Sequence, residues 1–433
     1  MLTAEDPRKI DGELSLKAQK VGTFTTNMKL PVHRWFRYSA GFSSEWVEEE
    51  ILERSENLKG FVLDPFVGSG TTVLAAEKLG ILSQGLEAQP FVRRIAHAKM
   101  LWYSDYRTFL VITTGIVEDA SKVWKDVDIS SSSLTLVKSY TTENLKKLEA
   151  IRLSHIRKAQ LISPLLSELI WLAITSVLRA TSAVGTAQWQ YLLPNKTKAR
   201  VLDPFTALTQ KASLMASDMQ LVQELGYKAT GSIVASDARK MEGVETDSVS
   251  LVMTSPPYPN NYDYADATRL ELTYWREVDS WSDLHEHVRK HLLRSCSQHT
   301  AKDKLSLDTL LESPVVKPIR EELQEVCAEL AEIRKTKGGR KTYHTMIAAY
   351  FVDLGLTWHE LRRVCHEGAE VCFVIGDSAP YGVHVPVDRW LGELALAAGF
   401  ENYQFDKIRD RNTKWKNRKH RVPLKEGHLW VKG

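Results

Sequence analysis

The sequence predicts an α/β protein built on a doubly wound, mostly parallel sheet, and three observations carry that expectation. Short apolar runs that end in an acid or a proline recur along the chain, helical periodicity separates them, and the first two are joined through a glycine turn. Strands buried on both faces of a parallel sheet read as near-continuous apolar runs, which is the form these take.

The first run, GFVLD at 60–64, ends in Asp64 and breaks into Pro65, Gly68 and Gly70. A helix follows over 71–79, stopped by Gly80, and ILSQGLE at 81–87 reads as a second strand ending in Glu87. Beyond about 92 the pattern becomes helical. Over 143–182, Leu145, Leu148, Ile156, Leu161, Leu165, Leu169 and Ile170 recur at helix-like intervals, with a break at Pro164 and no clear strand signal. Strand character returns at SIVAS (232–236), before Asp237, and at VSLVMT (249–254), before SPPY and the polar loop PNNYDY. The polar stretch 268–340 carries an apolar stripe of Leu323, Val326, Leu330 and Ile333 on a charged helix that ends at Gly338 and Gly339. A long helix from 343, a strand AEVCFVIG at 369–376, a helix over 387–398 ended by Gly399, and strands YQFDKI and GHLWVK complete the chain. The expected organisation is an N-terminal extension (1–29), a core (30–100 and 231–433), a helical insertion (101–230) and a polar helical insertion (268–340), the last a candidate for target recognition. VLDPF recurs at 201–205 without the glycines, so that echo is expected to have no corresponding use.

The 433 residues carry 57 Lys and Arg against 54 Asp and Glu, with 43% hydrophobic and 26% charged residues, which excludes disordered, collagenous and low-complexity classes. No apolar run reaches the ~18 residues of a bilayer span, and MLTAEDPRKIDGELS has no apolar segment of the secretory kind, so a cytoplasmic protein without membrane partners is expected. Four cysteines form no CxxC pair, and the one CxxH (Cys296, His299) has no second pair to complete a zinc site, so no metal is expected.

In an open parallel sheet, ligands sit beyond the carboxyl ends of the strands, where Asp64, Glu87, Asp237 and SPPY would converge. Gly68 and Gly70 let backbone approach a ligand, and a carboxylate at the second strand end is placed to accept hydrogen bonds from two ribose hydroxyls. The bland alternative is a tight turn with solvated acids. A phosphate-cradling loop is excluded because no Lys follows the glycines and Asp64 would repel phosphate. In Thr254-Ser255-Pro256-Pro257-Tyr258 the two prolines fix φ and remove two donors, leaving a rigid wall of acceptors suited to an NH₂ group. Ser255 and the Pro256 carbonyl are the candidate acceptors, and Tyr258 is available to stack on a base.

Here the sequence resembles the amino-group DNA methyltransferases. DPFVGSGTT (64–72) is similar to their motif I, GLE (85–87) to motif II, SDAR (236–239) to motif III, TSPPY (254–258) to motif IV and HRWFRYSAGFS (33–43) to motif X. The resemblance implies the Rossmann-like fold of class I methyltransferases and S-adenosyl-L-methionine as cofactor. It implies a cofactor site of Tyr38, Asp64, Pro65, Phe66, Gly68, Gly70, Thr71, Thr72, Glu87, Asp237, Ala238 and Thr254. The implied catalytic residues are Ser255, Pro256, Pro257 and Tyr258. In that family a serine before PPY is typical of cytosine N4 methylation and Asp or Asn of adenine N6, so Ser255 favours N4-cytosine, with adenine N6 as the alternative. The glycine turn precedes SPPY, unlike the permuted order. The family's mechanism implies base flipping and direct transfer in double-stranded DNA, with a cognate restriction endonuclease as a further partner. No cysteine follows a proline, in keeping with a reaction that needs no thiol nucleophile.

The segment 407–421 holds eight Lys or Arg against one Asp, with Trp415 among them, and reads as a phosphate-binding surface, with Lys414, Lys416, Arg418, Lys419 and Arg421 as its candidates. A second basic run, Arg334 to Lys341 around Gly338 and Gly339, reads more weakly in the same sense. Asn260, Asn261 and Tyr262 are candidates for contact with the flipped base or its strand, while Asp263 is expected to bind a backbone amide. The rival readings are methylation of RNA or protein amines, for which no added basic domain is apparent, and a catalytically inert DNA-binding protein with the same fold.

Overall fold

The computed structural model describes residues 24–186, 192–259, 263–280, 282–300, 305–338, 341–411 and 422–433. Its strands are β1 (Phe61–Asp64), β2 (Ser83–Leu86), β3 (Val184–Thr186), β4 (Leu192–Thr197), β5 (Gly231–Val234), β6 (Val249–Thr254), β7 (Cys365–Gly376), β8 (Asn402–Arg411) and β9 (Leu424–Lys432). Seven of them form one sheet in the order β5-β2-β1-β6-β7-β9-β8. Strands β5 to β7 are parallel, and β9 and β8 extend that edge antiparallel. The chain runs from β1 outward through β2 to β5 and then returns to β6 beside β1. The order therefore reverses between β1 and β6, and a crevice opens beyond their carboxyl ends.

Alternation along β7 explains its continuous apolar sequence. Cys372 and Val374 pack with Trp46, Val62 and Met253 on one face. Val371, Phe373 and Ile375 pack with Trp358 and Trp390 on the other. Helices Ser44–Arg54 and Thr71–Lys78 cover the first face, and Tyr343–Val364 and Val387–Ala397 cover the second. Trp358 stacks on Phe373 with centroids 4.5 Å apart. All four cysteines are buried and free, and burial pushes the Cys327 thiol up to about 12.

The expected insertions are integrated into this core rather than appended to it. Between 101 and 230 the helices Tyr106–Val123, Thr142–Ala159, Pro164–Val177 and Pro204–Glu224 form as the periodicity suggested, with Pro164 opening a new helix. The stripe is only partly used: Leu145, Leu148, Leu169 and Ile170 are buried, whereas Ile156, Leu161 and Leu165 are exposed. Phe109, Trp171 and Met215 share one cluster with Phe91 and Ile95 of the crossover helix Pro90–Met100. The region is not wholly helical, because β3 and β4 pair as an antiparallel hairpin. The second VLDPF forms no strand; Asp203 instead caps the helix Pro204–Glu224 by accepting the Thr206 N–H at 3.0 Å.

The stretch 268–340 is not one appendage either. Leu270, Leu272 and Tyr274 join the cluster of the first helical region, while Leu310, Leu323 and Leu330 pack beneath the helix Tyr343–Val364 on the far face. Strand β7 begins at Cys365, four residues before the apolar run that signalled it. Among the described residues, no helix is long and apolar enough to cross a membrane, and no group of three or more metal-ligating side chains is present.

Candidate active site

The glycine bend after β1 is closed by a buried brace. Asp64, 1% exposed, accepts hydrogen bonds from Thr72 Oγ1 at 2.7 Å, Thr254 Oγ1 at 2.5 Å and the Phe66 N–H at 3.1 Å. Thr72 Oγ1 also lies 3.0 Å from the Met253 carbonyl. This carboxylate thus joins the ends of β1 and β6 across the switch point, and burial pushes it up to about 6 despite those donors. Gly70, at φ +93°, caps the helix Thr71–Lys78. Gly68 stands at φ +52°, and a Cβ there would meet Tyr38 Cε1 at 2.9 Å, so a side chain would be strained in backbone and in space.

Beyond the bend lies a cleft of about 870 Å³, part of it open to solvent. Its walls include Tyr38, Phe66, Gly68 and Thr71 from the first strand–turn–helix and the preceding segment, Glu87 and Asp237 from the ends of β2 and β5, and Ser255 and Pro257 from the loop after β6. The glycine bend and the proline-stiffened elbow therefore open onto one cavity. Glu87 accepts the Gly68 N–H at 3.1 Å and the Gln89 N–H at 2.8 Å, and burial pushes its carboxyl up to about 7. Burial acts on Asp237 too, but Arg239, with Nη2 at 2.6 Å, holds it below the usual carboxylate range.

One wall comes from His291, Leu292 and Leu293. A buried ion cluster fixes it: Asp353, 0% exposed on the helix Tyr343–Val364, accepts from the Arg294 N–H and Nε at 3.0 Å and lies 3.2 Å from Arg239 Nη1. Asp263 Oδ1 accepts the Ala265 N–H at 3.1 Å, the amide contact expected of it, and Oδ2 pairs with buried Arg289 at 2.6 Å.

Ser255 donates its hydroxyl to the Val374 carbonyl of β7 at 3.1 Å. Its proton is thereby committed and its lone pairs remain as acceptors on the cleft wall. Burial raises the Tyr258 phenol well above the ordinary range.

Of the expected cofactor residues, Tyr38, Pro65, Phe66, Gly68, Thr71, Glu87, Asp237 and Ala238 line the cleft. Asp64, Gly70, Thr72 and Thr254 stand behind its wall: the acid and both threonines form the brace, and Gly70 caps the helix. Ser255 and Pro257 line the cleft, while Pro256 and Tyr258 back it. Asn260, Asn261, Tyr262, Lys414, Lys416, Arg418, Lys419 and Arg421 lie outside the described residues. Each described cation of the basic run 407–421 faces an acid within the protein: Lys407 pairs with Asp410 at 2.8 Å, and Arg409 and Arg411 share Glu426, at 2.6 Å and 3.6 Å. In the other basic run, Lys335 pairs with Glu332. Sequence reasoning missed His291 to Leu293 and Arg239; only Arg239, inside SDAR, carried a local signal.

A crevice at a doubly wound switch point, lined by a glycine bend, two strand-end acids and the elbow of Ser255 and Pro257, is the place where open α/β sheets bind their ligands. Comparison with known proteins bears on its class. The family profile described as DNA methylase matches residues 20–98. The chain is 26% identical to the Type II methyltransferase M.BsoBI of Geobacillus stearothermophilus, over 91% of this chain and 83% of that protein. It is 25% identical to the Type II methyltransferase M.AvaI of Nostoc sp., over 88% and 82%. A 72-residue stretch, 17% of this chain and 13% of the relative, is 38% identical to the Type II methyltransferase M.MjaII of Methanocaldococcus jannaschii. No solved structure matches. These similarities support the N4/N6 amino-methyltransferase family, whose DNA methyltransferases use S-adenosylmethionine as methyl donor.

Proposed function

We propose that the chain is a Type II DNA methyltransferase that moves a methyl group from S-adenosylmethionine to the exocyclic N4 amine of cytosine in double-stranded DNA, as the modification half of a restriction system with a cognate endonuclease. The cofactor supplies an electrophilic methyl group. Glu87 would accept its ribose hydroxyls, Asp237 would stand at its base, and the apolar faces of Phe66 and Tyr38 would flank it. The target cytosine would leave the duplex to reach the cleft.

The observation that carries the reading is Ser255. Ser255 lines the cleft and donates its proton to the Val374 carbonyl, which leaves its oxygen the role of acceptor toward an amine. An acceptor on an amine N–H favours the tetrahedral nitrogen that attack requires and takes up positive charge as it develops. Direct transfer needs no nucleophilic thiol, and the four cysteines are buried.

The test is incubation with labelled S-adenosylmethionine and unmodified duplex DNA, followed by mass spectrometry of the nucleosides. N4-methylcytosine is expected; N6-methyladenine would transfer the same chemistry to the other base, and unlabelled DNA would overturn it. Ser255→Ala and Tyr258→Ala should each lower turnover by at least ~10²-fold with cofactor affinity nearly unchanged.

A further inference from the structure

Arg411 belongs by sequence to a basic run suited to phosphate, yet its surroundings give it other work. It ends β8, and its side chain is 18% exposed. Its guanidinium carbon lies 5.0 Å from the centroid of the Tyr258 ring. Nη1 donates to the Asp377 carbonyl at 2.9 Å, and Nε stands 3.6 Å from Glu426, itself 5% exposed. A phosphate ligand needs a guanidinium with donors turned outward; this one turns Nη1 to a carbonyl and Nε toward Glu426, a buried carboxylate that it shares with Arg409 at 2.6 Å.

Gly376 gives an independent sign that this contact is built. A Cβ there would fall 2.7 Å from Arg411 Nη1 and 3.2 Å from Tyr258 Cε2, so the bare backbone at the end of β7 makes the room in which cation and ring meet. Tyr258 stands three residues after Ser255 in the same proline-stiffened elbow, and Ser255 donates its hydroxyl to Val374 on the strand that Gly376 ends.

We propose that Arg411 is a positioning residue that holds Tyr258, and through it Ser255, in register with the target base, and that it does not contact DNA phosphate. The inference rests on the assignment of Ser255 and Tyr258 to the base site. Only a planar guanidinium can lie against the ring, donate to Asp377 and face Glu426 together; an ammonium keeps the charge and loses the arrangement.

The test uses the full chain, unmodified genomic DNA and labelled S-adenosylmethionine, with steady-state rates measured across a range of salt. Arg411→Ala and Arg411→Lys should both lower kcat about 10-fold, with cofactor affinity and the salt dependence of the DNA KM unchanged. Gly376→Ala, which intrudes on Arg411 without removing it, should lower kcat in the same direction and carries the test if Arg411→Ala fails to fold. Tyr258→Ala combined with Arg411→Ala should fall no further than Tyr258→Ala alone. A raised KM with a salt slope shallower by about one ion, restored by Lys, would mark a phosphate contact and overturn the proposal. Parental kcat in Arg411→Ala beside an impaired Tyr258→Ala would overturn this inference alone; parental kcat in Tyr258→Ala would overturn the base-site assignment with it.

Discussion

At the ends of β1 and β6, Asp64 is buried among two threonine hydroxyls and a backbone amide; at the ends of β2 and β5, Glu87 and Asp237 line the cleft. All three are acids at carboxyl ends of one parallel sheet, so topology alone does not separate them. Their neighbours do. Strands β1 and β6 are adjacent at the switch point, and Thr254 on one reaches the acid of the other, while Thr72 closes over it from the following helix. Strands β2 and β5 lie further out, and their acids meet backbone amides or Arg239 beside open space. A carboxylate supplied with side-chain hydroxyls across the switch point becomes a brace; one met by backbone amides or by a cation of its own loop still lines the cleft.

The comparison is broken most severely at the brace. Asp64→Ala would leave the Thr254 hydroxyl and the Phe66 amide without an acceptor, while Thr72 keeps the Met253 carbonyl, at a cost of about 2 kcal/mol or more. A large fall in the unfolding midpoint is expected; a variant as stable as the parent that only binds cofactor poorly would put Asp64 with the cleft acids instead. Because burial raises Asp64 to about 6 from 3.8, the folded protein holds its proton more tightly than the unfolded chain does. Its contribution to stability is therefore fully present below about pH 4 and is lost as pH rises through 6. Asp64→Asn, which keeps an acceptor, should be milder and should flatten that slope in urea titrations at several pH values.

Glu87 should behave in the opposite way. Glu87→Gln should leave the unfolding midpoint nearly unchanged and weaken cofactor binding by about 10-fold to 10²-fold, the value of charge-assisted hydrogen bonds. Burial holds its carboxyl at about 7, and ribose hydroxyls favour the ionised form. Calorimetric affinity for S-adenosylmethionine should thus fall as pH drops below 7, and Glu87→Gln should remove that dependence. An affinity flat from pH 6 to 8 in the parent would count against the assignment.

The two regions also differ in how far sequence exposes them. The strand–turn–helix 60–79, the strands ending at Asp64, Glu87 and Thr254, and SPPY depend on neighbours within a few residues, so spacing alone reveals them. Which acid is the brace depends on Thr254, 190 residues from Asp64, and spacing has no access to that pairing. The wall of His291 to Leu293 was hidden for the same reason: its anchor, Asp353, sits 59 residues beyond Arg294 on another helix. The surroundings of Arg411 are equally out of reach of its sequence neighbours, because charge in a run reports composition, whereas its partners Glu426 and Tyr258 come from other elements. The stretch 268–340 reads as one polar, helix-rich segment in sequence, and its apolar side chains divide between two different clusters, a division that spacing does not show.

The smallest effect is expected at Asp237, which shares the cleft with Glu87 but not its freedom. Arg239 occupies both of its oxygens, with Nε 2.9 Å from Oδ1 and Nη2 2.6 Å from Oδ2, and is itself tied to Asp353. A ligand donor must therefore share an oxygen already engaged by a cation, which weakens the acceptor. Asp237→Asn leaves one amide oxygen for that purpose and removes a partly exposed ion pair, the kind whose loss costs roughly 1 kcal/mol or less. Cofactor affinity should fall only about 3-fold to 5-fold relative to the parent, and by the same factor at every pH from 6 to 8, because Asp237 is held below the usual carboxylate range. If calorimetry instead gave a loss equal to that of Glu87→Gln, Arg239 would have to release Asp237 when the cofactor binds, and Arg239→Gln should then tighten binding in place of weakening it.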